Sequence, residues 1–270
     1  MRLITLLTDF SEKDGYAGIM KGVMLSIAPH ARIVDLSHDI SPQNVLEAAL
    51  LLGRSAAYFP DGTIHVAVVD PGVGTHRRGI AARLGEQYFV GPDNGLMTLL
   101  YRNASSQHNE VKVVHLDQPK YWLTQVSRTF HGRDIFAPVA AHLANGVELD
   151  SLGKTVTDPV LLPIPSAECT QSGWQGEVIH RDAFGNLATN IREEDLPGDA
   201  DIRVHIKGKH DLPVKLTFGE QKPGELVAVI DSFGYLMIGV VNGSAAQLLG
   251  ADVGEKVEVV CSPKAAGSQV

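Results

Sequence analysis

Short apolar segments that resemble buried strands alternate with helix-like segments over the first 145 residues. The strand-like runs are 3–7, 32–36, 63–69 and 87–91, and the helix-like runs are 16–27, 45–58 and 136–145. Continuous apolar strands separated by helices are typical of βαβ crossovers. The alternation therefore predicts an α/β N-terminal domain with a mainly parallel central sheet that helices cover on both faces.

The pattern changes after about residue 155. Three prolines between residues 158 and 165 predict an extended linker. Short β-rich runs then follow at 174–180, 187–191, 202–206, 214–218, 226–230, 235–241 and 257–261, with one helix-like run at 245–249. This pattern is typical of a small antiparallel barrel or sandwich, and the barrel is the form that we predict. The predicted organisation is an α/β domain at 1–157, a linker at 158–172, a smaller all-β, barrel-like domain at 173–263 and a flexible tail at 264–270.

Composition restricts the class of function. The 270 residues are 44% hydrophobic and 20% charged, with a formal net charge of −8. An acidic chain lacks the basic face that nucleic acid requires, so no nucleic-acid partner is expected. The first apolar run is too short for a signal peptide, and no run approaches the roughly 20 apolar residues that span a bilayer. Cys169 and Cys261 lack metal-ligand spacing and are expected to be buried free thiols. We therefore expect a cytoplasmic protein with no membrane partner.

Two aspartates stand where strand-like runs end. Asp9 follows the first run, and Asp70 follows the third and opens the segment Asp70-Pro71-Gly72-Val73-Gly74-Thr75. The segment lacks the Gly-Lys-Ser/Thr ending of a P-loop, but its glycines allow the backbone to approach a ligand closely. Because ligands of parallel sheets bind beyond the carboxyl ends of strands, these residues predict a small-molecule site. Asp9 is expected either to cap the following loop or to bind ribose hydroxyls.

His131 lies between Phe130 and Gly132, just before the last helix-like run of the first domain. A histidine, a carboxylate and a guanidinium on tight loops are sufficient to hold and polarise a water molecule. Arg77 and Arg78 follow within reach of a ligand of the Asp70–Thr75 segment. The alternative is that one is solvated and the other pairs with a surface carboxylate, and at least one of them is expected to be solvated. Metal binding by Asp9, Asp70, Asp93 and His131 is an alternative, but no HxH or HExxH spacing supports it, so we expect no metal.

Two polar turns interrupt the second half. The segment Asp182-Ala183-Phe184-Gly185-Asn186 is expected to be either a hairpin turn or a polar pair that binds an amino-acid head group. The segment Asn242-Gly243-Ser244-Ala245-Ala246 is typical of a turn that enters a short helix. Asn242 and the backbone near it are candidates to bind the edge of a base.

In their order and spacing, these segments resemble the S-adenosylmethionine (SAM) hydroxide adenosyltransferase family, which is related to the fluorinases and chlorinases. The resemblance covers residues 3 to about 260. Its motifs are Thr8-Asp9-Phe10, Val34-Asp35-Leu36-Ser37-His38, the Asp70–Thr75 segment, Gly91-Pro92-Asp93-Asn94-Gly95-Leu96, Phe130-His131-Gly132-Arg133-Asp134, and the two polar turns.

The resemblance implies that water and SAM react at the ribose C5′ to give adenosine and methionine. It also implies a homotrimer with active sites at subunit interfaces. SAM is then a substrate, so no cofactor is expected. The matching catalytic residues are Asp70, Arg77 and His131, and Asp9 matches a ribose-binding aspartate. The remaining predicted substrate-binding residues are Phe130, Asp182, Asn186, Phe218 (near an adenine-stacking aromatic), Ser232 and Asn242.

Three positions depart from the fluorinase pattern. Asp70 stands where fluorinases have a tyrosine and Gly132 where they have a serine, and a carboxylate repels a halide by on the order of several kcal/mol at low dielectric. Halogenation is therefore disfavoured. Phe233 stands where fluorinases have an arginine for the methionine carboxylate, so the sequence does not show what replaces that contact. A non-catalytic adenosine or SAM sensor and a metal-dependent nucleoside hydrolase are further alternatives. The sequence leaves open whether Asp70 or His131 accepts the proton from water.

Overall fold

The computed structural model describes residues 2–198, 200–208 and 210–263. The chain divides into two compact units, Met1–Pro163 and Ile164–Val270. The division falls inside the predicted linker at 158–172. Residues in the first part of that segment bond to the first unit, because Val160 donates its N–H to Asp93 and Leu162 donates its N–H to Thr98. The predicted tail at 264–270 lies outside the described residues.

The first unit alternates strands and helices. Its strands are β1 (Leu3–Thr8), β2 (Arg32–Ser37), β3 (Ile64–Val68), β4 (Gly79–Leu84), β5 (Gln87–Pro92) and β6 (Val111–His115). Its α-helices are α1 (Tyr16–Ile27), α2 (Val45–Ser55), α3 (Thr98–Ser106) and α4 (Ala137–Ala144). Short 3₁₀ turns occupy Ala56–Tyr58, Pro119–Tyr121 and Leu149–Leu152, and a π-helical turn at Gly132–Phe136 leads into α4.

The six strands form one sheet in the order β2-β1-β3-β5-β4-β6. The β1–β2, β1–β3 and β3–β5 pairs are parallel, whereas β4 runs antiparallel to β5 and to β6. The predicted α/β domain with a mainly parallel sheet is confirmed. The sequence analysis missed β4 and β6, which form the antiparallel pairs of the sheet. It also missed the helix α3.

Helices cover both faces of this sheet and bury two apolar cores. On one face α1 and α4 pack with Met20, Met24 and Phe136, all fully buried. On the other face α2 and α3 pack with Leu52 and Phe89. The predicted cap of α2 is present, because the Asn44 side chain accepts a hydrogen bond from the Glu47 N–H. No helix in the described part of the chain is long and apolar enough to cross a membrane.

The second unit is barrel-like. Its strands are β7 (Glu168–Cys169), β8 (Gly173–Arg181), β9 (Leu187–Arg192), β10 (Ala200–Ile206), β11 (His210–Lys215), β12 (Leu226–Ile230), β13 (Tyr235–Val240) and β14 (Lys256–Pro263), and its helix is α5 (Ala245–Leu249). The strand order is β14-β10-β11-β12-β13-β9-β8-β7, and a β14–β8 pairing closes β8 to β14 into a ring with β7 outside it. The predicted barrel is confirmed, but β11 pairs with β12 in parallel, so the barrel is not wholly antiparallel.

Both cysteines are free, as expected, but the expectation that both are buried is wrong. Cys169 is exposed and Cys261 is half-buried. Cys169 lies on β7, outside the closed ring, where the barrel core does not cover it.

His65 on β3 is fully buried beneath the sheet surface. Its Nδ1 lies 2.8 Å from Thr5 Oγ1, and its Nε2 lies 3.3 Å from Gln87 Oε1. Burial lowers the pKa of His65 from 6.5 to about 4, although the bond to Gln87 opposes the shift. The folded protein therefore holds this ring neutral over a pH range in which the unfolded chain protonates it.

We predict that the free energy of unfolding falls as the pH drops from 6.5 towards 4. The unfolded state binds the proton first, so this one group removes about 3 kcal/mol across that window. Denaturant unfolding at a series of pH values measures the loss. His65→Asn, which keeps an acceptor near Thr5, should flatten the dependence, whereas the exposed-site control His30→Asn should leave it unchanged. An equal slope in both variants would contradict the assignment.

Candidate active site

A cleft of about 400 Å³ opens at the carboxyl ends of β1 and β3, which are neighbours in the sheet. Asp9 and Asp70, which follow these strands, both line it, together with residues from the loop before α4. The full lining is Asp9, Phe10, Tyr16, Gln43, Val68, Asp70, Pro71, Val73, Thr129, Phe130, His131 and Gly132. The fold thus brings together four residues that the sequence analysis singled out, namely Asp9, Asp70, Phe130 and His131.

Arg77 joins Asp70 to His131. Its Nε donates to both carboxylate oxygens of Asp70, at 2.8 and 3.0 Å, and its Nη2 bonds to Asp70 Oδ2. The same Nη2 lies 3.1 Å from His131 Nδ1. The Asp70 and Arg77 side chains are only 5% and 12% exposed. Asp70 and Arg77, which are close in sequence, and the distant half-buried His131 therefore form one continuously bonded group.

The glycines after Asp70 allow two loops to meet at this group. Gly74 has a φ of 75°, and a Cβ at that position would lie 2.2 Å from the Arg128 carbonyl oxygen. Only glycine permits both the left-handed backbone and this close approach. The Asp70–Thr75 segment therefore packs directly on the loop that carries Phe130 and His131.

The loop before His131 is held by a buried carboxylate. The Asp134 side chain is fully buried, and it accepts hydrogen bonds from the Ser127 N–H at 2.7 Å and from Arg133 Nε at 2.6 Å. The Arg133 guanidinium in turn lies 5.2 Å from the centre of the Phe130 ring. These contacts fix the cleft-lining Phe130 and His131. The sequence analysis predicted no role for Arg133 or Asp134, although both belong to the motif around His131.

The bond to Arg77 determines the protonation of His131. A guanidinium has no acceptor, so Nδ1 must accept and the hydrogen of the neutral ring is on Nε2. Burial and the positive charge of Arg77 lower the pKa of His131 below its ordinary value of 6.5, although Asp70 and Asp134 oppose the shift. At neutral pH the ring is therefore neutral and has no free acceptor nitrogen.

Asp9 lines the same cleft at the carboxyl end of β1. Its Oδ2 accepts a hydrogen bond of 2.8 Å from the Gln43 N–H, which leaves acceptor capacity on the carboxylate for a ligand. Phe10, Tyr16 and Phe130 form an aromatic wall beside it, with ring centres 5.2 to 5.8 Å apart. The sequence analysis missed Tyr16 and Gln43, because neither carries a chemical pattern at its own position.

The expectation that Arg77 or Arg78 is solvated is wrong. Arg77 is bound in the site, and Arg78 ties the first unit together. The Arg78 guanidinium bonds to Asp93 at 2.8 Å and to Asp158 at 2.7 Å. Asp93 therefore forms a structural ion pair with Arg78. In the described ranges, no cluster of three or more His, Cys, Asp or Glu residues is arranged to hold a metal ion.

In the second unit, Asp182 and Asn186 form the turn between β8 and β9. Asp182 Oδ1 accepts from the N–H groups of Phe184 and Asn186, and Asn186 Nδ2 donates to Asp182 Oδ2 at 2.8 Å. The hairpin interpretation is therefore confirmed, and ligand binding by this pair stays a prediction. The second polar turn, Asn242–Ala246, packs against this turn, since a Cβ on Gly185 would lie 2.0 Å from Ser244 Oγ.

Phe218 lies close to Asn186. The predicted strand through residue 218 ends at Lys215, and Phe218 begins a 3₁₀ turn. A Cβ on Gly239 of β13 would lie 2.5 Å from Phe218 Cε1 and 2.7 Å from Asn186 Oδ1. Gly239 therefore provides the space in which the Phe218 ring and the Asn186 amide meet.

The predicted barrel residues do not all share one end of the sheet. Asn242 follows the carboxyl end of β13, near Asn186, because Ile238 pairs with Leu187. Ser232 precedes the amino end of β13, which pairs with Arg192, so the strand separates Ser232 from Asn242 by roughly 17 Å. Phe233, next to Ser232, instead lines a small cleft of about 220 Å³ together with Arg192 and Tyr235.

The sequence matches the SAM hydroxide adenosyltransferase N-terminal domain over residues 4–153 and the C-terminal domain of the same family over residues 176–258. The chain belongs to this family. The resemblance drawn from the motifs is confirmed, and the two matched ranges correspond to the two compact units.

Similar proteins cover nearly the full chain. The (R)-S-adenosyl-L-methionine hydrolase of Thermus thermophilus is 39% identical over 96% of this chain and all of its own length. The crystal structure of an uncharacterized conserved protein from Thermotoga maritima superposes with a TM-score of 0.87, at 36% identity, covering 95% of this chain and 99% of its own. A fluorinase from an Actinoplanes species is less similar, at 29% identity over 87% of this chain and 90% of its own.

We predict that Gly239→Ala weakens the binding of adenosine, the nucleoside that the resemblance assigns to Phe218 and Asn186, without unfolding the barrel. The added methyl group displaces the ring and the amide, so calorimetry should give a Kd for adenosine at least roughly tenfold higher, the effect of losing one good contact. Gly219→Ala, next to Phe218 with no such clash, is the matched control. Unchanged affinity in Gly239→Ala would remove Phe218 and Asn186 from the nucleoside site.

Proposed function

We propose that this protein hydrolyses SAM to adenosine and L-methionine, with water attacking the ribose C5′. The observation that carries the proposal is the bonded Asp70–Arg77–His131 group at a cleft that Asp9 also lines. The family membership and the hydrolase names of the more similar relatives support the same reaction.

In the proposed reaction the water oxygen forms a bond to C5′ while the C5′–S bond breaks. The electron pair of that bond passes to sulfur, so the sulfonium leaves as neutral methionine and needs no acid. Activation of water is the harder task, because its pKa is near 15.7. A proton acceptor aligned with the water, and positive charge that stabilises the developing hydroxide, both lower the barrier.

The hydrogen bonds favour Asp70 over His131 as the proton acceptor. Nδ1 of His131 is already occupied by Arg77, and Nε2 carries a hydrogen, so the neutral ring cannot take another proton without losing that bond. The carboxylate of Asp70 lines the cleft and keeps lone pairs beyond those that Arg77 uses. Arg77 stays charged at any relevant pH and supplies fixed positive charge.

Halogenation is the nearest alternative within the family's relatives. A halide would have to approach the Asp70 carboxylate. Arg77 forms an ion pair with this carboxylate, but the negative charge stays beside the position of the halide. A non-catalytic sensor of adenosine or SAM is the alternative from another class. No contact among the described residues favours it, since all three predicted catalytic side chains are present and bonded to one another.

The deciding assay incubates the purified protein with SAM and separates the products by chromatography, with and without fluoride or chloride. We expect adenosine and methionine in equal amounts, and no halogenated nucleoside. A 5′-halogenated nucleoside would favour the halogenase, and tight binding without product would favour the sensor. Activity that a chelator abolishes would instead support a metal-dependent hydrolase.

Asp70→Ala and His131→Ala should each lower kcat by at least roughly a hundredfold, the range for losing a general base or one fixed hydrogen-bond donor, with smaller changes in the Kd of SAM. Asp9→Ala should mainly weaken binding of adenosine, because its predicted partners are the ribose hydroxyls. Single-turnover kinetics and calorimetry separate the two effects. Wild-type turnover in either of the first two variants would refute the assigned roles.

The activity should depend on pH through His131. Because its pKa lies below 6.5, the ring is neutral at pH 7, and we expect kcat/KM to stay level through neutral pH and fall only below the ordinary histidine range. Protonation places a second positive charge beside Arg77 and breaks the bond to Nδ1. His131→Asn, which keeps an acceptor near Nδ1, should lose this acid limb while retaining some activity. A limb centred above 6.5, or one unchanged in the variant, would contradict this explanation.

We also propose the homotrimer, with active sites at subunit interfaces, and the cytoplasmic location that the sequence analysis expected. Exposed apolar side chains on α1 and β2 support self-association, since Tyr16, Ile19, Leu25 and Val34 are each 40% or more exposed. Light scattering of the purified protein measures the oligomeric state, and Ile19→Asp should shift it towards the monomer.

A further inference from the structure

The motif Val34-Asp35-Leu36-Ser37-His38 has no part in the proposed chemistry. Its residues do not line the cleft, yet its last residue is buried. His38 is 4% exposed and lies behind the Thr8–Ser11 segment, which carries Asp9 and Phe10 into the cleft. A buried histidine with defined partners next to a binding loop requires an explanation.

His38 holds that segment at two points. Its Nδ1 lies 2.8 Å from Thr8 Oγ1, and its backbone carbonyl accepts a 2.8 Å hydrogen bond from the Ser11 N–H. Thr8 Oγ1 also accepts from the Phe10 N–H at 3.3 Å. Asp9 and Phe10 are therefore enclosed between two attachments to one residue.

The direction of each bond follows from the partners. His38 Nε2 lies 3.1 Å from Asp35 Oδ1 without the alignment of a hydrogen bond. A ring lone pair at Nε2 would face the lone pairs of the carboxylate, so this proximity favours the tautomer with the hydrogen on Nε2. Nδ1 then accepts from the Thr8 hydroxyl, whose lone pair is free for the Phe10 N–H. Asp35 is bound in turn by Lys21 of α1, with Nζ 2.5 Å from Oδ2. Burial of Asp35 opposes ionisation, but Lys21 and His38 outweigh it and hold the pKa of this carboxyl below its usual value.

The order Asp35, His38, Thr8 is also that of a relay which activates a hydroxyl nucleophile. Burial argues against that role here. Thr8 is fully buried, so no substrate atom can reach its hydroxyl. These contacts therefore hold the backbone of the Thr8–Ser11 segment in place and do not act on a substrate.

We propose that His38 is a positioning residue, which fixes Asp9 and Phe10 in the cleft through Thr8 and so sets the affinity for the nucleoside part of the substrate. Asp35 and Lys21 support it by fixing the ring tautomer. The inference rests on the proposed function, since it takes Asp9 as the residue that binds ribose.

The test compares two pairs of variants. His38→Ala and Thr8→Val remove the bond, whereas His38→Asn keeps an acceptor in the place of Nδ1 and Thr8→Ser keeps the hydroxyl. Lys112→Met, which breaks the exposed pair of Lys112 and Asp150 on the same unit, is the control. The measurements are kcat and KM for SAM, the Kd of adenosine by calorimetry, and the thermal midpoint of each variant.

We expect His38→Ala and Thr8→Val each to raise KM and the adenosine Kd roughly tenfold, the effect of one buried hydrogen bond, with kcat within about threefold of wild type. The variant that combines His38→Ala and Thr8→Val should bind adenosine no more weakly than either single variant, because both substitutions remove the same hydrogen bond. His38→Asn and Thr8→Ser should recover most of the affinity, which a loss of stability alone does not explain.

Wild-type KM and Kd in His38→Ala would overturn the inference, and so would a loss of kcat at unchanged Kd. Additive effects in the double variant would also overturn it. If the wild-type protein binds adenosine but forms no product, the proposed function fails, while the adenosine Kd values still decide the role of His38. If the wild-type protein binds no adenosine, both fail.

Discussion

The guanidinium of Arg77 is the group around which the candidate active site is organised. It donates to Asp70 and to His131, and it rests 5.2 Å above the ring of Phe136, which belongs to the buried core between the sheet and α1 and α4. Since it can only donate, it fixes both neighbours as acceptors. One buried cation thus joins the loop after β3, the turn before α4 and the core, and it determines which tautomer of His131 faces the cleft.

Each loop around the cleft has a second attachment of its own. Gly74 brings the loop after β3 against the Arg128 carbonyl, Asp134 holds the Ser127 N–H, and His38 holds Thr8 and Ser11. Polar groups that are fixed before the substrate arrives need no reorganisation during the reaction, so they stabilise developing charge more effectively than mobile ones. The cleft is thus built from loops, but the loops are bonded to buried side chains.

The residues of the second unit that are predicted to bind the substrate are held in a different way. The turn between β8 and β9 satisfies its own backbone through Asp182, so its conformation does not depend on a ligand. Gly239 then lets the Phe218 ring approach the Asn186 amide on the barrel surface. An aromatic face beside an amide is suited to a flat heterocycle with hydrogen-bonding edges, in agreement with the nucleoside-binding role that we propose for this end of the barrel.

Apolar periodicity, the glycines beside Asp70 and His131, and the ordered motifs were enough to establish the two-part architecture, the family and the reaction class, because all of these are local properties of the chain. They did not establish how the site residues use their hydrogen bonds. The prediction that one of the two arginines is solvated was wrong, because Arg78 bonds to Asp158, which is 80 residues away. Ser232 lies far from Asn242 because strand register, not proximity in sequence, fixes its position. The roles of Arg77 and His38 arise from contacts between distant segments, whose donors and acceptors come within bonding distance only when the chain folds. Asp134 bonds to residues close in sequence, but its role also depends on the folded loop that brings the Ser127 N–H to its carboxylate.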